Sequence, residues 1–410
     1  MLLYSGTTER QSLRVPASVV PLPLETSLQR VVAVLRLGGS LSRAQIAQRT
    51  GLSRGTVTAV VSELVEHGMA GEAAERVRSG TLGRPTALVR LERRAGLAAG
   101  IDIGKQHIRV AVADLGHELL AERYLEVAVD LPADEGVDTA RRLLEETLAE
   151  ANADPSQLVG AGVALPGPLH VSSGKLGSST IMPGWAGVRP RELLEQRLGV
   201  SIRVDNDANL GVLAEWTWGA AKGCADIAYL KLATGIGCGL IVNGAPCKGT
   251  GGTAGEIGHL QVAAEGPWCR CGKRGCLEAV AGSQAVVESL RPTLGAVSVR
   301  DIVERAAAGN PECRRVLHHT GNLVGEAVAS MVNLLNPARL VVGGPLAAAG
   351  EHLLQPLRQA VSRSAVSSAA ADVLVVQSQL AERAEALGGV SLILRDFSLA
   401  PRVTHSSGSA

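Results

Sequence analysis

Three cysteines and one histidine lie close together in the second half of this 410-residue chain. Nine residues separate His259 from Cys269, one separates Cys269 from Cys271, and four separate Cys271 from Cys276. Three thiolates and one imidazole complete the tetrahedral coordination of Zn²⁺ and leave no open position, which is typical of structural zinc. The sequence therefore predicts a structural zinc ion that pins a loop poor in regular structure. The alternative is a group of buried free cysteines.

The rest of the composition favours a cytoplasmic protein. Seven cysteines are too few and too clustered for a disulfide scaffold, and metal ligation by thiolates suits a reducing compartment. No apolar run reaches the roughly 18–20 residues that a membrane helix needs. Glu9 and Arg10 stand where a secretory signal would have its apolar stretch. We therefore expect no membrane span and no secretion.

The net charge of +1 conceals two segments of opposite sign. Residues 1–95 contain 13 arginines, no lysine, 7 glutamates and no aspartate, which gives +6, so the remaining 315 residues carry −5. A basic N-terminal segment on a mildly acidic body indicates a module that binds nucleic acid. The alternative is an ordinary solvated surface.

The basic segment has the helix signals of a helix-turn-helix. Apolar residues spaced i, i+3, i+4 and i+7 predict an amphipathic helix that begins near Ser27. Ser42 and Gln45 form a capping box at the start of a second helix, and Ser53 caps a third after the turn at Gly51. The apolar stripe of the third helix consists of Val57, Val60, Val61, Leu64 and Val65.

The third helix would be the recognition helix. Its exposed face is expected to present small polar residues and one arginine to DNA, namely Ser53, Arg54, Thr58 and Ser62. Two strand-like segments then flank a turn at residues 78–85, which predicts a wing with Arg84 at its tip. Capping, apolar stripe, wing and local charge agree, so double-stranded DNA is the expected partner; a small helical interaction domain is the alternative.

From Leu97 the pattern is that of an α/β fold. Three strands are predicted at Leu97–Ile103, Ile108–Ala113 and Glu118–Val127, followed by a helix near Val137–Ala151 and a strand at Leu158–Leu165. Strands that alternate with helices indicate a sheet covered by helices.

Two glycine-containing turns follow strands in this body. Asp102 and Gly104 end the first strand, an arrangement that can hold a phosphate or its magnesium ion. Thr234, Gly235 and Gly237 follow a strand at Ile227–Leu232, and backbone amides in such a turn can bind anions. Glycines serve tight hairpins equally well, so each turn by itself is a weak signal.

Taken together, these motifs resemble the ROK family of bacterial repressors and sugar kinases, from Leu24 to about Val390. The resemblance implies a two-lobed, actin- and hexokinase-like (ribonuclease H-like) α/β body with a sugar in the cleft, preceded in the repressors by a winged helix-turn-helix. The motifs that carry it are residues 256–259 with 269–278, Leu165-Pro166-Gly167-Pro168, Asn206-Asp207-Ala208-Asn209, and Asn336-Pro337 with Gly343-Gly344.

The resemblance also implies roles for single residues. Asp207 corresponds to the base that takes a proton from the sugar hydroxyl in the family's kinases. His259 is claimed by both zinc and sugar, and one ring nitrogen could serve each. The sugar contacts that it implies are Asn206, Asp207, Glu256, His259 and Glu278. Without the family, residues 206–209 indicate only an Asx-rich turn or helix cap.

The chain departs from the kinase pattern at the first phosphate turn. Family kinases have Asp-x-Gly-Gly-Thr, whereas here Gly104 is followed by Lys105 and Gln106. The second turn has Ala233 where kinases have Gly. Retained sugar and zinc motifs beside an altered phosphate turn predict a sensor that binds a sugar without phosphorylating it. ATP and magnesium are expected only if the chain is a kinase.

We therefore expect a sugar-responsive DNA-binding regulator, a repressor of carbohydrate genes, acting as a homodimer or homotetramer without a membrane partner. The alternative is an ATP-dependent hexose or amino-sugar kinase, and a weaker one is a zinc-stabilised scaffold for a phosphotransfer protein. The expected divisions are a tail at 1–23, a DNA-binding domain at 24–92, a first lobe at 96–219 with a returning helix at 385–398, and a second lobe at 220–384 with the zinc loop at 256–278.

Overall fold

A computed structural model describes residues 26–77, 86–127, 131–167, 169, 173–176 and 181–395. The N-terminal segment is a helix-turn-helix with a small antiparallel sheet, hereafter the head. Capping boxes start two of its helices, from Thr26 with Gln29 and from Ser42 with Gln45. Its elements are α1 (Ser27–Gly38), β1 (Leu41–Ser42), α2 (Arg43–Thr50), α3 (Arg54–Glu66), β2 (Ala70–Val77) and β3 (Thr86–Leu91), with strand order β1-β3-β2.

The turn between α2 and α3 depends on Gly51. This glycine caps α2 in the left-handed conformation (φ 68°), which a side chain would disfavour. The predicted stripe of α3 is buried except for Val65, which is 42% exposed because it lies one residue beyond Leu64 and off the buried face. Residues 78–85, the predicted wing tip with Arg84, lie outside the described residues.

The first lobe is built on a five-stranded sheet with strand order β6-β5-β4-β7-β8. The three-strand meander pairs antiparallel, and β7 and β8 add parallel to β4. Its elements are β4 (Leu97–Ile103), β5 (His107–Asp114), β6 (Leu119–Glu126), α4 (Ala133–Glu150), β7 (Leu158–Leu165), α5 (Pro190–Leu198), β8 (Ile202–Asn206) and α6 (Asp207–Thr217).

The second lobe repeats this topology in the order β11-β10-β9-β12-β13, again with an antiparallel meander followed by two parallel strands. Asp102 near the end of β4 and Lys231 near the end of β9 act on each other electrostatically, so the ends of the two central strands meet at a common cleft. The elements are β9 (Ile227–Leu232), β10 (Ile236–Val242), β11 (Ala245–Pro246), α7 (Leu277–Ala281), α8 (Ser283–Leu294), α9 (Val299–Ala307), α10 (Pro311–Leu335), β12 (Arg339–Gly343), α11 (Glu351–Ser364), α12 (Ser367–Asp372) and β13 (Leu374–Gln377).

The last described helix, α13 (Ala384–Arg395), returns to the first lobe. Small residues let it touch the sheet directly, since a Cβ on Gly162 would lie 2.1 Å from the carbonyl oxygen of Gly389. Its other side packs on α6, which is buried from Ala208 to Trp216. The predicted residues beyond Arg395 are outside the described part. Within the described part, no helix is long and apolar enough to cross a membrane.

The head packs against the body rather than hanging free. Arg36 of α1 donates from Nε to the carbonyl oxygen of Leu115, in the turn between β5 and β6, at 2.8 Å. The amide of Leu115 in turn donates to the carbonyl of Arg93 at 3.1 Å. Buried apolar residues of the head, α6 and α13 belong to one continuous cluster. The head and the first lobe therefore share a hydrophobic core.

Candidate functional site

The structure brings the four predicted metal ligands together. The ligand atoms of His259, Cys269, Cys271 and Cys276 all lie within 4.8 Å of one another. Cys271 and Cys276 have their sulfurs 3.6 Å apart, and the Sγ atom of Cys269 lies 3.5 Å from His259 Nδ1. A tetrahedral ion with bonds of about 2.3 Å to sulfur needs S···S edges of about 3.8 Å. The group thus fits a tetrahedral metal ion.

Local backbone structure holds these ligands. His259 ends a short 3-10 turn, Cys276 precedes α7, and a bridge pairs Gln261 with Cys276. Burial raises the pKa of the Cys276 thiol to about 12. A cation in the group would therefore be needed to hold this sulfur as a thiolate at neutral pH.

The two ring nitrogens of His259 face different neighbours. Nδ1 points to the cysteine group, whereas Nε2 lies 3.7 Å from a carboxylate oxygen of Glu256. This geometry suits one nitrogen for a metal and the other for the cleft, as the sequence suggested. The imidazole thus joins the metal group to the predicted sugar residues.

Three predicted sugar-binding carboxylates, Asp207, Glu256 and Glu278, lie close enough for the charges of two to act on the third. Burial raises the pKa of Glu256, and the nearby charges of Glu278 and Asp207 add to the rise. Glu278 forms an ion pair with Arg270, and it accepts a hydrogen bond from the amide of Ile236 at 3.1 Å. The carboxylates therefore converge on one polar region, which is what recognition of sugar hydroxyls needs.

Asn206 serves as the N-cap of α6. Its side-chain oxygen accepts from the amide of Ala208 at 2.9 Å, and its Nδ2 donates to the carbonyl of Gly167 at 3.0 Å. The cap fixes Asp207 at the first position of α6. Both polar side-chain atoms of Asn206 already have hydrogen-bond partners in the protein. A sugar that Asn206 binds would have to share these atoms with those partners.

A cavity of about 170 Å³ lies beside Asn206. Lys248 of the second lobe reaches across it and lies 2.5 Å from the buried Asp205 of the first. Neither residue was singled out from the sequence. The cavity is lined by Leu169, Gly174, Val204, Asp205, Asn206, Lys248 and Gly252.

The first predicted phosphate turn is filled by His107. Its Nε2 is 2.8 Å from Asp102 Oδ2, and a Cβ on Gly104 would meet the imidazole ring at 2.3 Å. Burial alone would raise the pKa of Asp102. The hydrogen bond and charge of His107 outweigh burial, so the pKa of Asp102 is lowered. The same contact raises the pKa of His107. The carboxylate of Asp102, predicted to hold a phosphate or magnesium, is thus hydrogen-bonded to a side chain of the same chain.

The second turn, Thr234–Gly237, is also closely packed. A Cβ on Gly235 would lie 2.5 Å from Glu278 Oε2 and 2.6 Å from Arg270 Nη2, so a larger residue there would displace the ends of the ion pair. Gly237 lies against Ala208 at the start of α6. This turn therefore borders the predicted sugar residues.

Two further charged residues of the cleft, Lys231 and Glu385, escaped the sequence analysis. Lys231 Nζ lies 2.8 Å from Asp207 Oδ2 and 3.2 Å from Glu385 Oε1. A signal existed in each case, since a lysine interrupts the apolar strand β9 and a glutamate interrupts a helix of small and apolar residues. Their pairing could not be read from spacing.

Four of the predicted DNA-contacting residues of the head lie on its surface, and the fifth, Arg84, is outside the described residues. Arg54, Thr58 and Ser62 are exposed on one side of α3, opposite the buried valines. Ser53 is exposed too, and its hydroxyl caps α3 by accepting from the amide of Thr56 at 3.1 Å. The exposed face is small and polar, as a recognition helix requires.

Comparison with known proteins gives the same two parts. A winged helix-turn-helix DNA-binding profile matches residues 24–69, and the ROK family profile matches residues 98–396. Among curated proteins, the chain is 30% identical over 380 residues to the DNA-binding transcriptional dual regulator NagC of Escherichia coli, which covers 87% of this chain and 89% of that protein. It is 27% identical over 357 residues to the xylose repressor of Bacillus subtilis, covering 87% and 92%.

Solved structures support the fold. A ROK family transcriptional regulator, a homolog of the Escherichia coli MLC protein, has a TM-score of 0.76 at 24% identity and covers 90% of this chain and 95% of its own. A ROK family glucokinase from Streptomyces griseus, solved with glucose and AMPPNP, has a TM-score of 0.63 at 25% identity and covers 72% and 99%. The chain belongs to the ROK family and carries a winged helix-turn-helix at its N-terminus.

Proposed function

We propose that this protein is a sugar-responsive transcriptional repressor of carbohydrate genes. One observation carries the proposal: a helix-turn-helix with an exposed polar face shares a core with a sugar-kinase-like body whose first phosphate turn is filled by His107. Two of its relatives, a xylose repressor and the transcriptional dual regulator NagC, each match 87% of the chain. A cleft that keeps sugar-type carboxylates but closes the phosphate turn suits sensing rather than phosphoryl transfer.

The ligand would be a sugar or sugar derivative held in the cleft by Asn206, Asp207, Glu256, His259 and Glu278. A zinc ion on the four Cys and His ligands would have a structural role, because the set has no open position. It would keep His259 and the following loop in place beside the sugar. The thiolate-rich donor set supports zinc over magnesium or calcium, which prefer oxygen ligands.

The DNA partner would be a pseudo-palindromic operator bound by a homodimer or homotetramer. Two recognition helices would enter successive major grooves about one helical turn apart, or a multiple of it. Ser53, Arg54, Thr58, Ser62 and Arg84 are the proposed contacts. A cytoplasmic location follows from this role. The proposed domain bounds, 24–92, 96–219 and 220–384, are supported by the three separate sheets.

A single helix links the two proposed sites. Helix α6 starts at Asp207 in the cleft and runs for 11 residues, about 16 Å. Just past its end, Trp218 Nε1 donates to the carbonyl of His117 at 3.2 Å, in the turn that also receives Arg36 of the head. A shift of α6 on sugar binding would therefore reach the head through two contacts. Coupling of this kind requires the sugar to prefer one state of the head.

The test is operator binding by the full chain with and without sugar. Fluorescence anisotropy would measure binding to DNA from upstream of its own gene and of neighbouring sugar genes, at low salt, with a scrambled duplex as control. D-Glucose, D-xylose and N-acetylglucosamine form the first ligand panel. We expect specific binding that at least one sugar changes. Absence of binding to every upstream fragment would refute the proposal.

The competing function is an ATP-dependent sugar kinase, favoured only by Asp207 and the intact Thr234–Gly237 turn. A coupled ADP-release assay over the same panel separates the two. We expect no turnover above background. Turnover that is lost in Asp207→Asn would instead establish the kinase.

A further inference from the structure

A buried ammonium group stands at the centre of the cleft. Lys231, on the central strand β9 of the second lobe, lies within 3.2 Å of carboxylates from two other elements, Asp207 of α6 and Glu385 of α13. The three side chains are only 14%, 15% and 4% exposed. The hydroxyl of Tyr229 donates to Glu385 at 3.3 Å.

The lysine also stands between the two phosphate turns. It precedes the turn at Thr234 by three residues, and the charge of Asp102, beside the other turn, acts on it as well. These neighbouring carboxylates, Asp207 first among them, raise the pKa of Lys231 despite its burial. The ammonium group is therefore a fixed positive charge at any physiological pH.

Three carboxylates in a poorly exposed region need positive partners, because an unpaired buried charge is strongly unfavourable. In phosphoryl-transfer enzymes, magnesium ions supply positive charge at the nucleotide phosphates and are held by protein carboxylates. Here the Lys231 ammonium supplies it to Asp207 and Glu385, and the imidazole of His107 is hydrogen-bonded to Asp102 at 2.8 Å. The charges of the cleft are thus compensated from within the chain.

We propose that Lys231 is the positioning residue of the sugar site, a built-in cation that takes the place of a metal–nucleotide and orients Asp207 toward the sugar. This inference rests on the proposed sugar-binding function. Lys231 holds Oδ2 of Asp207. The other oxygen, Oδ1, accepts from the amide of Ala208 at 2.8 Å and keeps a lone pair for a sugar hydroxyl. It also joins both lobes and α13, so the lobes can stay closed on a sugar without nucleotide.

Magnesium alone is the first probe, because it needs no knowledge of the sugar. Thermal unfolding of the full chain would be followed with increasing Mg²⁺ and without added Mg²⁺ for wild type, Lys231→Met and the control Lys222→Met, which changes an exposed lysine. A chelator is left out, because it would also remove the proposed zinc. We expect no Mg²⁺ effect on wild type or the control. In Lys231→Met, the freed carboxylates should bind Mg²⁺ and Tm should rise with its concentration.

Sugar affinity is the second readout, measured by calorimetry with whichever of the three panel sugars binds wild type most tightly. Lys231→Met should weaken binding about tenfold or more, since Asp207 loses its partner. Mg²⁺ should restore part of this loss, and Lys231→Arg should stay within about threefold of wild type because the charge is kept. A purely structural lysine would give neither the Mg²⁺ rescue nor the arginine rescue.

Three results would overturn the inference. They are a wild-type affinity for sugar that rises with Mg²⁺, an unchanged affinity in Lys231→Met, and a loss in Lys231→Met that neither Mg²⁺ nor arginine repairs. If Lys231→Met does not fold, the Mg²⁺ dependence of the sugar affinity of wild type still tests the inference. If no panel sugar binds wild type, the proposed function fails, while the Mg²⁺-dependent Tm of Lys231→Met still tests the lysine as a built-in cation.

Discussion

Arg36 donates a hydrogen bond from Nε to the carbonyl oxygen of Leu115 at 2.8 Å, and this bond ties the recognition module to the first lobe. Burial lowers the pKa of Arg36 to about 10, so the guanidinium stays charged at neutral pH. Leu115 lies two residues before His117, which contacts Trp218 at the end of α6. The bond therefore lies where a movement of α6 would meet the head.

Replacing Arg36 with glutamine should weaken the response of DNA binding to sugar. The variant loses the bond to Leu115, so the head is held less firmly and the ratio of operator Kd with and without sugar should move toward one. Anisotropy titrations would measure both constants. Arg300→Gln is the control, because Arg300 is 85% exposed on the second lobe and forms an ion pair with Glu304 in its own helix. An unchanged ratio in Arg36→Gln would contradict a role for this contact.

The metal prediction is one zinc ion per chain. Elemental analysis of protein purified without added metal should give close to one equivalent, and Cys276→Ser should lose it and lower Tm, because zinc binding contributes directly to folding stability. Cys247→Ser, outside the group, is the control and should keep the metal. A zinc content well under one equivalent per chain in wild type would contradict the prediction.

Local signals in the sequence were sufficient for much of the fold. The capping residues Thr26, Ser42 and Ser53 act within three residues of themselves, so the helix starts that depend on Ser42 and Ser53 could be predicted as the structure has them. The group of metal ligands could also be predicted from the sequence, because three of the ligands fall in one short loop. These features depend on spacing, and spacing is visible in a single sequence.

Ion pairs and hydrogen bonds between charged residues that are distant in sequence could not be predicted from the sequence. Tyr229 on β9 and Glu385 on α13 are 156 residues apart in sequence. They meet because α13 packs back on the first lobe and places Glu385 beside β9 of the second. The altered turn at Lys105 was noticed, yet the residue that fills it is His107, which lies one residue before the strand predicted at Ile108–Ala113. Which side chain enters a cleft depends on the tertiary packing of several elements, and no local pattern carries that information.

The wing and the recognition helix should contribute to DNA binding in separable ways. Arg84→Ala should weaken binding to all sequences similarly and reduce the salt slope by about one, as loss of one phosphate contact does. Arg54→Ala should also lower the preference for the operator over scrambled DNA if its guanidinium reaches base edges. Operator and scrambled duplexes would be titrated at about 50 to 200 mM salt. An unchanged slope in Arg84→Ala would show that the wing does not touch DNA.

Glu385 should make stability depend on pH in a way that a single substitution removes. Burial raises its pKa from 4.5 to about 7, with Asp102 and Asp207 adding to the rise and Lys231 opposing it. Between these two values the folded state holds a proton that the unfolded state has lost, so this group's contribution to stability falls as pH rises. Glu385→Gln cannot titrate and lacks that fall.

The Tm of wild type relative to Glu385→Gln should therefore decrease as pH rises from about 4.5 to about 7 and then level off. Thermal unfolding in a series of buffers at constant ionic strength measures the difference directly. Glu304→Gln is the matched control, since Glu304 is an exposed glutamate on α9 and the difference should stay constant with pH. A constant difference for Glu385→Gln as well would mean that Lys231 holds Glu385 ionised throughout, and that burial does not dominate its titration.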